Sequence, residues 1–165
     1  MTQPMVLSYQ FNQELFWVKV QKTNDCWLWI GSCTANGYGQ FGVKVDGRFT
    51  KRLPHRIAWE LTNGPIPKGK EIDHRCHNRT CVNPTHLRVT TRMENGQNLT
   101  GVRTNGRGMR GVTFHKATGK WRAHVRHNYR QITVGKFSTA AEANAAAIAK
   151  RNELFTHNDL DRNQS

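Results

Sequence analysis

The chain of 165 residues contains no apolar run approaching the roughly 18 residues a membrane-spanning helix needs, and no charged start leading into an apolar secretory core. Those absences predict a soluble, unprocessed protein that works in a cytosol and spans no membrane. Carboxylates are scarce: 11 Asp and Glu against 25 Lys and Arg leave a net charge of +14. So large a surplus calls for a polyanionic partner, and nucleic acid is the commonest one, ahead of a membrane surface. Apolar residues are scarce too, at 36%, a thin supply for one shared core. Small domains of that kind often depend on a staple such as a metal. The four cysteines, Cys26, Cys33, Cys76 and Cys81, could supply one. Without a secretory signal, Cys clustered with His reads as a metal site before it reads as disulfides.

The charge is unevenly spread: +6 over residues 1–100, +9 over 101–150 and −1 over 151–165. Most of Phe11, Leu15, Phe16 and Val18 fall on one helical face and predict a short amphipathic helix over 11–20. From Cys26 to Arg52, alternating segments separated by Asn36-Gly37 and Asp46-Gly47 predict an antiparallel meander. A helix over 53–62 opens with Pro54 and stops before Asn63-Gly64-Pro65. Thr91-Arg-Met-Glu94 fits a capping box. Gln97 to Gly108 lacks an apolar period and reads as linker. Three strands (109–114, 120–127 and 131–137) and an alanine-rich helix capped by Thr139 and Glu142 follow. The expected plan is a first domain over 1–99, a linker over 100–108, a β-β-β-α module over 109–155 and a frayed tail over 156–165, all of α+β class.

Cys76, Cys81 and His86 stand at C-x4-C-x4-H, with Asn83 and Pro84 shaping a turn. Zinc takes thiolate and imidazole tetrahedrally, so a structural site wants a fourth ligand, Cys26 or its rival Cys33. Just ahead lie Asp73 and His74, and further on Asn95. Phosphodiester hydrolysis needs a base, a hard cation and positive groups for the developing charge. His74 suits the base, while the Asp73 carboxylate and Asn95 carbonyl oxygen suit Mg²⁺.

Asp73-His74, Asn83 and Asn95 resemble the Asp-His, Asn and Asn of HNH nucleases with the ββα-metal fold. The run from His74 to Leu87 is similar to the zinc-stapled His-Cys box homing endonucleases. Cys26-Trp-Leu-Trp, Gly37-Tyr-Gly, His55-Arg56 and Gly64-Pro-Ile-Pro also match phage and intron HNH endonucleases. The resemblance covers residues 11–99. It implies that His74 activates water, that Asp73 and Asn95 hold one divalent ion, and that Asn83 braces the loop behind His74. It also implies that Cys26, Cys76, Cys81 and His86 hold a structural zinc. Arg56 is the expected contact to the scissile phosphate.

A second resemblance lies downstream. Arg110-Gly-Val, Gly119-Lys-Trp121-Arg122-Ala, Gly135-Lys-Phe137 and Thr139-Ala-Ala-Glu142 look like the ethylene-response-factor (APETALA-two) DNA-binding domain. Carried over, this points to Arg110, Trp121, Arg122 and Arg126 as DNA contacts. Alternation puts Arg122, His124 and Arg126 on one strand face, with Ala123 and Val125 toward the helix. Arg suits guanine, and Lys116, Lys120 and Lys136 suit phosphate. The two resemblances together imply a Mg²⁺-dependent homing endonuclease acting on double-stranded DNA in a bacterial or phage-infected cell, as monomer or homodimer. The competing expectation is a zinc-stabilised DNA-binding regulator without nuclease activity.

Overall fold

Asn12 starts the first regular element of the computed structural model, which describes residues 7–98 and 109–162. Its Oδ1 accepts a hydrogen bond from the Leu15 amide and caps α1 (Gln13–Trp17). This helix is shorter than the predicted 11–20, because Val20–Lys22 leaves it as strand β1 and pairs antiparallel with β2 (Trp27–Trp29). The expected meander is two separate two-stranded sheets. The second joins β3 (Phe41–Val45) to β4 (Arg48–Arg52) across Asp46-Gly47. Both turn residues have positive φ, 47° and 79°, as such a two-residue hairpin turn requires. Asn36-Gly37 also makes a turn, with Gly37 at φ 80°, but it closes on a single bridge between Cys33 and Gly39.

Helix α2 (Pro54–Asn63) opens on Pro54 and ends where Gly64 takes a φ of 96° and donates its amide to Glu60 O. Strands β5 (Glu71–His74) and β6 (Leu87–Thr90) pair antiparallel, with Asp73 opposite Arg88 and His74 opposite Leu87. Helix α3 (Arg92–Gln97) follows. The core of this part is aromatic: Phe16 is fully buried, with ring centroids 4.9 Å from Trp17, 5.3 Å from Phe41 and 5.4 Å from Trp29. Large rings packed against one another bury much area per residue, which offsets the low apolar count.

The chain divides between Arg92 and Met93 into two compact units. The linker expected over 100–108 lies outside the described residues. In the second unit, β7 (Val112–His115), β8 (Lys120–His127) and β9 (Arg130–Phe137) form one antiparallel sheet in chain order. Helix α4 (Ala140–Leu154) packs on it. Both halves of the capping box form: Thr139 Oγ1 accepts from the Glu142 amide, and Glu142 Oε2 accepts from the Thr139 amide. Val112, Ala123, Ala143 and Ala147 make the small core. Small residues let helix and sheet approach closely. Gly111 is needed for a similar reason: at φ 78°, a Cβ there would come within 2.2 Å of His124 O.

The tail expected to fray is instead tied down as far as it is described. Gln97 Oε1 accepts from the Thr156 and His157 amides, α5 (Asp159–Arg162) follows, and buried Arg151 is paired with Asp161. Polar side chains do this fastening, which an apolar periodicity does not reveal. No helix of the described residues is long and apolar enough to cross a membrane.

Candidate active site and metal centre

Strand β2 brings Cys26 to the loop that carries the other sulfurs. Trp29 N donates to Thr80 O and Val82 N to Trp27 O, both at 2.8 Å, so residues 80–82 run along the edge of β2. Asn83 then turns the chain. Its Oδ1 accepts from the amide and hydroxyl of Thr85 and caps the short 3₁₀ turn Pro84–His86. Its Nδ2 donates to Asp25 O at 2.9 Å, fastening that turn to the residue beside Cys26.

The result is a cluster of Cys26, Cys76, Cys81 and His86, with their ligand atoms all within 4.8 Å of one another. His86 Nδ1 lies 3.6 Å from Cys26 Sγ and 3.7 Å from Cys81 Sγ. A tetrahedral zinc with bonds of about 2.3 Å to sulfur and about 2.0–2.1 Å to nitrogen would separate S and N ligands by about 3.5 Å. The donor set and its spacing thus fit a closed four-ligand zinc. Cys33 is exposed, bonds weakly to Gly31 O and stands outside the cluster. The thiols share protons unequally: the hydrogen bond to Cys81 pushes Cys76 up and holds Cys81 down, while burial pushes Cys26 up. A divalent cation would take the place of those protons. His86 Nε2 faces Asp25 Oδ1 at 3.4 Å, leaving Nδ1 to the sulfurs. The residue pattern carries no signal for Asp25.

His74 ends β5, buried, with Nε2 3.0 Å from the carbonyl oxygen of Cys81. A carbonyl can only accept, so Nε2 carries the proton and the lone pair of neutral His74 lies on Nδ1. Burial lowers the His74 pKa, partly opposed by the Cys81 carbonyl and by Asp73. Burial therefore favours the neutral ring. Around it stand His55, with ring centroids 4.6 Å apart, and Tyr38, at 6.1 Å. His55 is buried and its pKa is driven well down by desolvation, then by His74 and Arg56. Gly37-Tyr-Gly thereby acquires a physical reading. Gly37 makes the turn, and Gly39 lies so close to the Trp29 ring that a Cβ would come within 2.5 Å of it. Between them Tyr38 is delivered to the histidines, with the Arg79 guanidinium 5.5 Å from its ring.

Asp73 is buried on β5 and receives two hydrogen bonds at Oδ2, from Arg88 Nε at 3.0 Å and Nη2 at 2.7 Å. Nothing in the residue pattern signals this cross-strand pair, since register is invisible until β5 and β6 are paired. Arg56 lies partly exposed on α2, beside His55. Asn95 lies half-buried on α3, within the second unit.

In that unit the face of the sheet opposite α4 carries Arg122, His124 and Arg126, while Ala123 and Val125 are buried on the other. Register sets Arg122 between Thr113 and Lys136, and Arg126 opposite Gln131. Trp121 shares the face of Ala123 and packs on the small core beside Phe114. Arg110, expected as a DNA contact, is drawn inward: its guanidinium donates to Gln97 O and Gly96 O and lies over the Phe155 ring.

Residues 52–97 match the HNH endonuclease family, and residues 107–157 match the AP2 domain. Relatives come from bacteriophages. Over 92 residues the chain is 35% identical to "Protein 7.7" of Escherichia phage T7, covering 56% of this chain and 65% of that one. Over 81 residues it is 36% identical to "Protein 3.8" of the same phage, covering 46% and 67%. "Protein 2.8" of that phage is 34% identical over 77 residues, covering 47% and 50%. The chain thus spans half to two thirds of the length of these relatives. No solved structure matches. The chain belongs to the HNH endonuclease family, with an AP2 domain after its HNH segment.

Proposed function

We propose that the chain is a metal-dependent DNA endonuclease in which His74 Nδ1 draws a proton from water as it attacks a phosphodiester. One observation carries the reading: a buried histidine on the HNH segment, its Nε2 tied to a carbonyl and its pKa lowered by burial. That arrangement supplies a base in one fixed tautomer at neutral pH. When bound, a divalent ion such as Mg²⁺ would polarise the phosphate and stabilise the leaving oxygen. Asp73, oriented by Arg88, would be one oxygen ligand; the ligand role of Asn95 rests on the residue pattern and on the extent of the HNH match. The sequence β5, β6, α3 has the element order of a ββα-metal finger. Cys26, Cys76, Cys81 and His86 would hold zinc and keep the loop behind His74 in place. Arg56 is offered as the phosphate contact.

The AP2 segment would select the site. Arg122 and Arg126 suit base edges, and Lys136 suits phosphate. Arg110, half-buried, donates to the Gln97 and Gly96 carbonyls and would steady the start of the sheet. Site-selective cutting by two joined modules is what a homing endonuclease requires, and the phage relatives favour action in the cytoplasm of an infected cell. A plasmid carrying DNA from the gene's own neighbourhood provides the test. Wild-type protein with Mg²⁺ should cut it, and His74→Ala should bind without cutting. If the wild type cuts no DNA, the chain is a zinc-stabilised DNA-binding protein instead.

A further inference from the structure

We propose that the outward face of the β3–β4 hairpin docks duplex DNA against the HNH unit, in addition to the AP2 sheet. The inference rests on the endonuclease reading. Alternation puts Phe41, Val43 and Val45 of β3 toward the core. Gly42 and Lys44 point away, and register sets Lys51 opposite Gly42 and Phe49 opposite Lys44. Four of the five residues of β4 are exposed, and its one large apolar side chain faces outward: Phe49 is 86% exposed. A strand that packed only for stability would turn that ring inward.

The patch has a definite chemistry. Lys44 Nζ lies 5.8 Å from the Phe49 ring centroid, and Lys51 Nζ donates to Gln40 Oε1 at 3.2 Å. Neither strand contains a carboxylate, and the hairpin's Asp46 is in its turn. A Cβ built on Gly42 meets nothing within 4 Å, so the face is flat and open. Arg52 is engaged elsewhere, with Glu60 at 3.6 Å and over the Tyr9 ring at 4.0 Å.

Two ammonium groups on diagonal cross-strand positions, with side chains about 7–8 Å apart at their bases, can reach separate phosphates of one strand. The ring between them can pack on deoxyribose. A single ring is too little apolar area for a lipid surface, and charge of one sign with no carboxylate matches a polyanion. Duplex DNA is the occupant because both segments of the chain match DNA-acting families.

The test uses the full chain with His74→Ala, so that bound DNA stays intact, and follows anisotropy of a labelled duplex from about 50 to 200 mM salt. Lys44→Gln with Lys51→Gln should lower the log–log salt slope by about 1.8, at about 0.9 for each phosphate no longer neutralised. Phe49→Ser should weaken binding several-fold at every salt concentration and leave the slope alone. Lys44→Arg should keep the slope. All three positions are exposed, so zinc content and melting serve as controls for folding. An unchanged slope and affinity in the triple variant overturns the proposal, as does equal displacement of the duplex by double-stranded RNA. A lowered slope in a protein whose wild type cuts nothing upholds the hairpin and overturns the endonuclease reading. An unchanged slope beside normal cutting does the reverse.

Discussion

His74 and Cys81 are joined by a 3.0 Å hydrogen bond from imidazole Nε2 to the carbonyl oxygen, and the Sγ of that same cysteine faces His86 Nδ1 at 3.7 Å. One residue thus belongs both to the Cys/His cluster and to the hydrogen bond that orients His74. Whatever holds the cluster together also sets where the His74 lone pair points. A zinc ion held by the cluster would therefore also fix the carbonyl that orients His74.

Zinc removal should therefore act through folding. Closing such a site contributes about 10–16 kcal/mol of apparent binding free energy, as much as or more than the whole stability of a typical small domain. Cys76→Ser or Cys81→Ser should yield an unfolded or aggregated first unit. Elemental analysis and thermal melting check this; a soluble, zinc-free variant with a cooperative melt would contradict it.

Cys26 and Cys33 should separate cleanly. Cys33→Ser, outside the cluster, should keep one zinc per chain and an unchanged melt, whereas Cys26→Ser should lose metal. The zinc-to-protein ratio after dialysis decides between them.

Acid should destabilise the first unit before its carboxylates titrate. His74 and His55 both have pKa values lowered by burial, so the folded state binds fewer protons than the unfolded chain once pH drops to the ordinary imidazole value of about 6.5. Stability from these groups is complete above that value and is lost as pH falls toward the lowered folded values. Melting temperature should fall between about pH 7 and pH 5, and His55→Gln should flatten the fall. Cutting should hold level through neutral pH and fail only below the usual histidine range. Activity declining from about pH 7.5 downward would mean that His74 is not depressed.

Arg110 and Arg122 should fail in different ways. Arg110→Ala strips hydrogen bonds from the Gln97 and Gly96 carbonyls and should cost the second unit about 1.5–3 kcal/mol of stability. Arg122→Ala should leave the melt nearly unchanged and cost about 1–3 kcal/mol of DNA affinity if it reads a base. Parallel denaturation and binding measurements distinguish them.

Gly111→Ala should destabilise the second unit by more than about 2 kcal/mol, because it adds a Cβ at positive φ against the His124 carbonyl in the middle of the sheet. Native-like melting of that variant would show that the β7–β8 junction relaxes freely.

Much of this protein follows from the order of its residues alone. Local rules act over a few positions, so Asp46-Gly47 makes its hairpin, Pro54 and Gly64 bound α2, and Thr139 with Glu142 caps α4 wherever the rest of the chain lies. The alternation along β8 separates Arg122 and Arg126 from Ala123 and Val125 for the same reason. The pattern of Cys76, Cys81 and His86 points to a metal loop but leaves its fourth ligand open. That choice waits for the edge of β2 to pair with residues 80–82, an event between segments far apart in the chain. Tyr38 and His55 beside His74, Arg88 on Asp73, Asp25 behind His86 and the inward turn of Arg110 likewise depend on register and packing. Spacing along a chain specifies neighbours within an element; only the folded chain decides which elements meet.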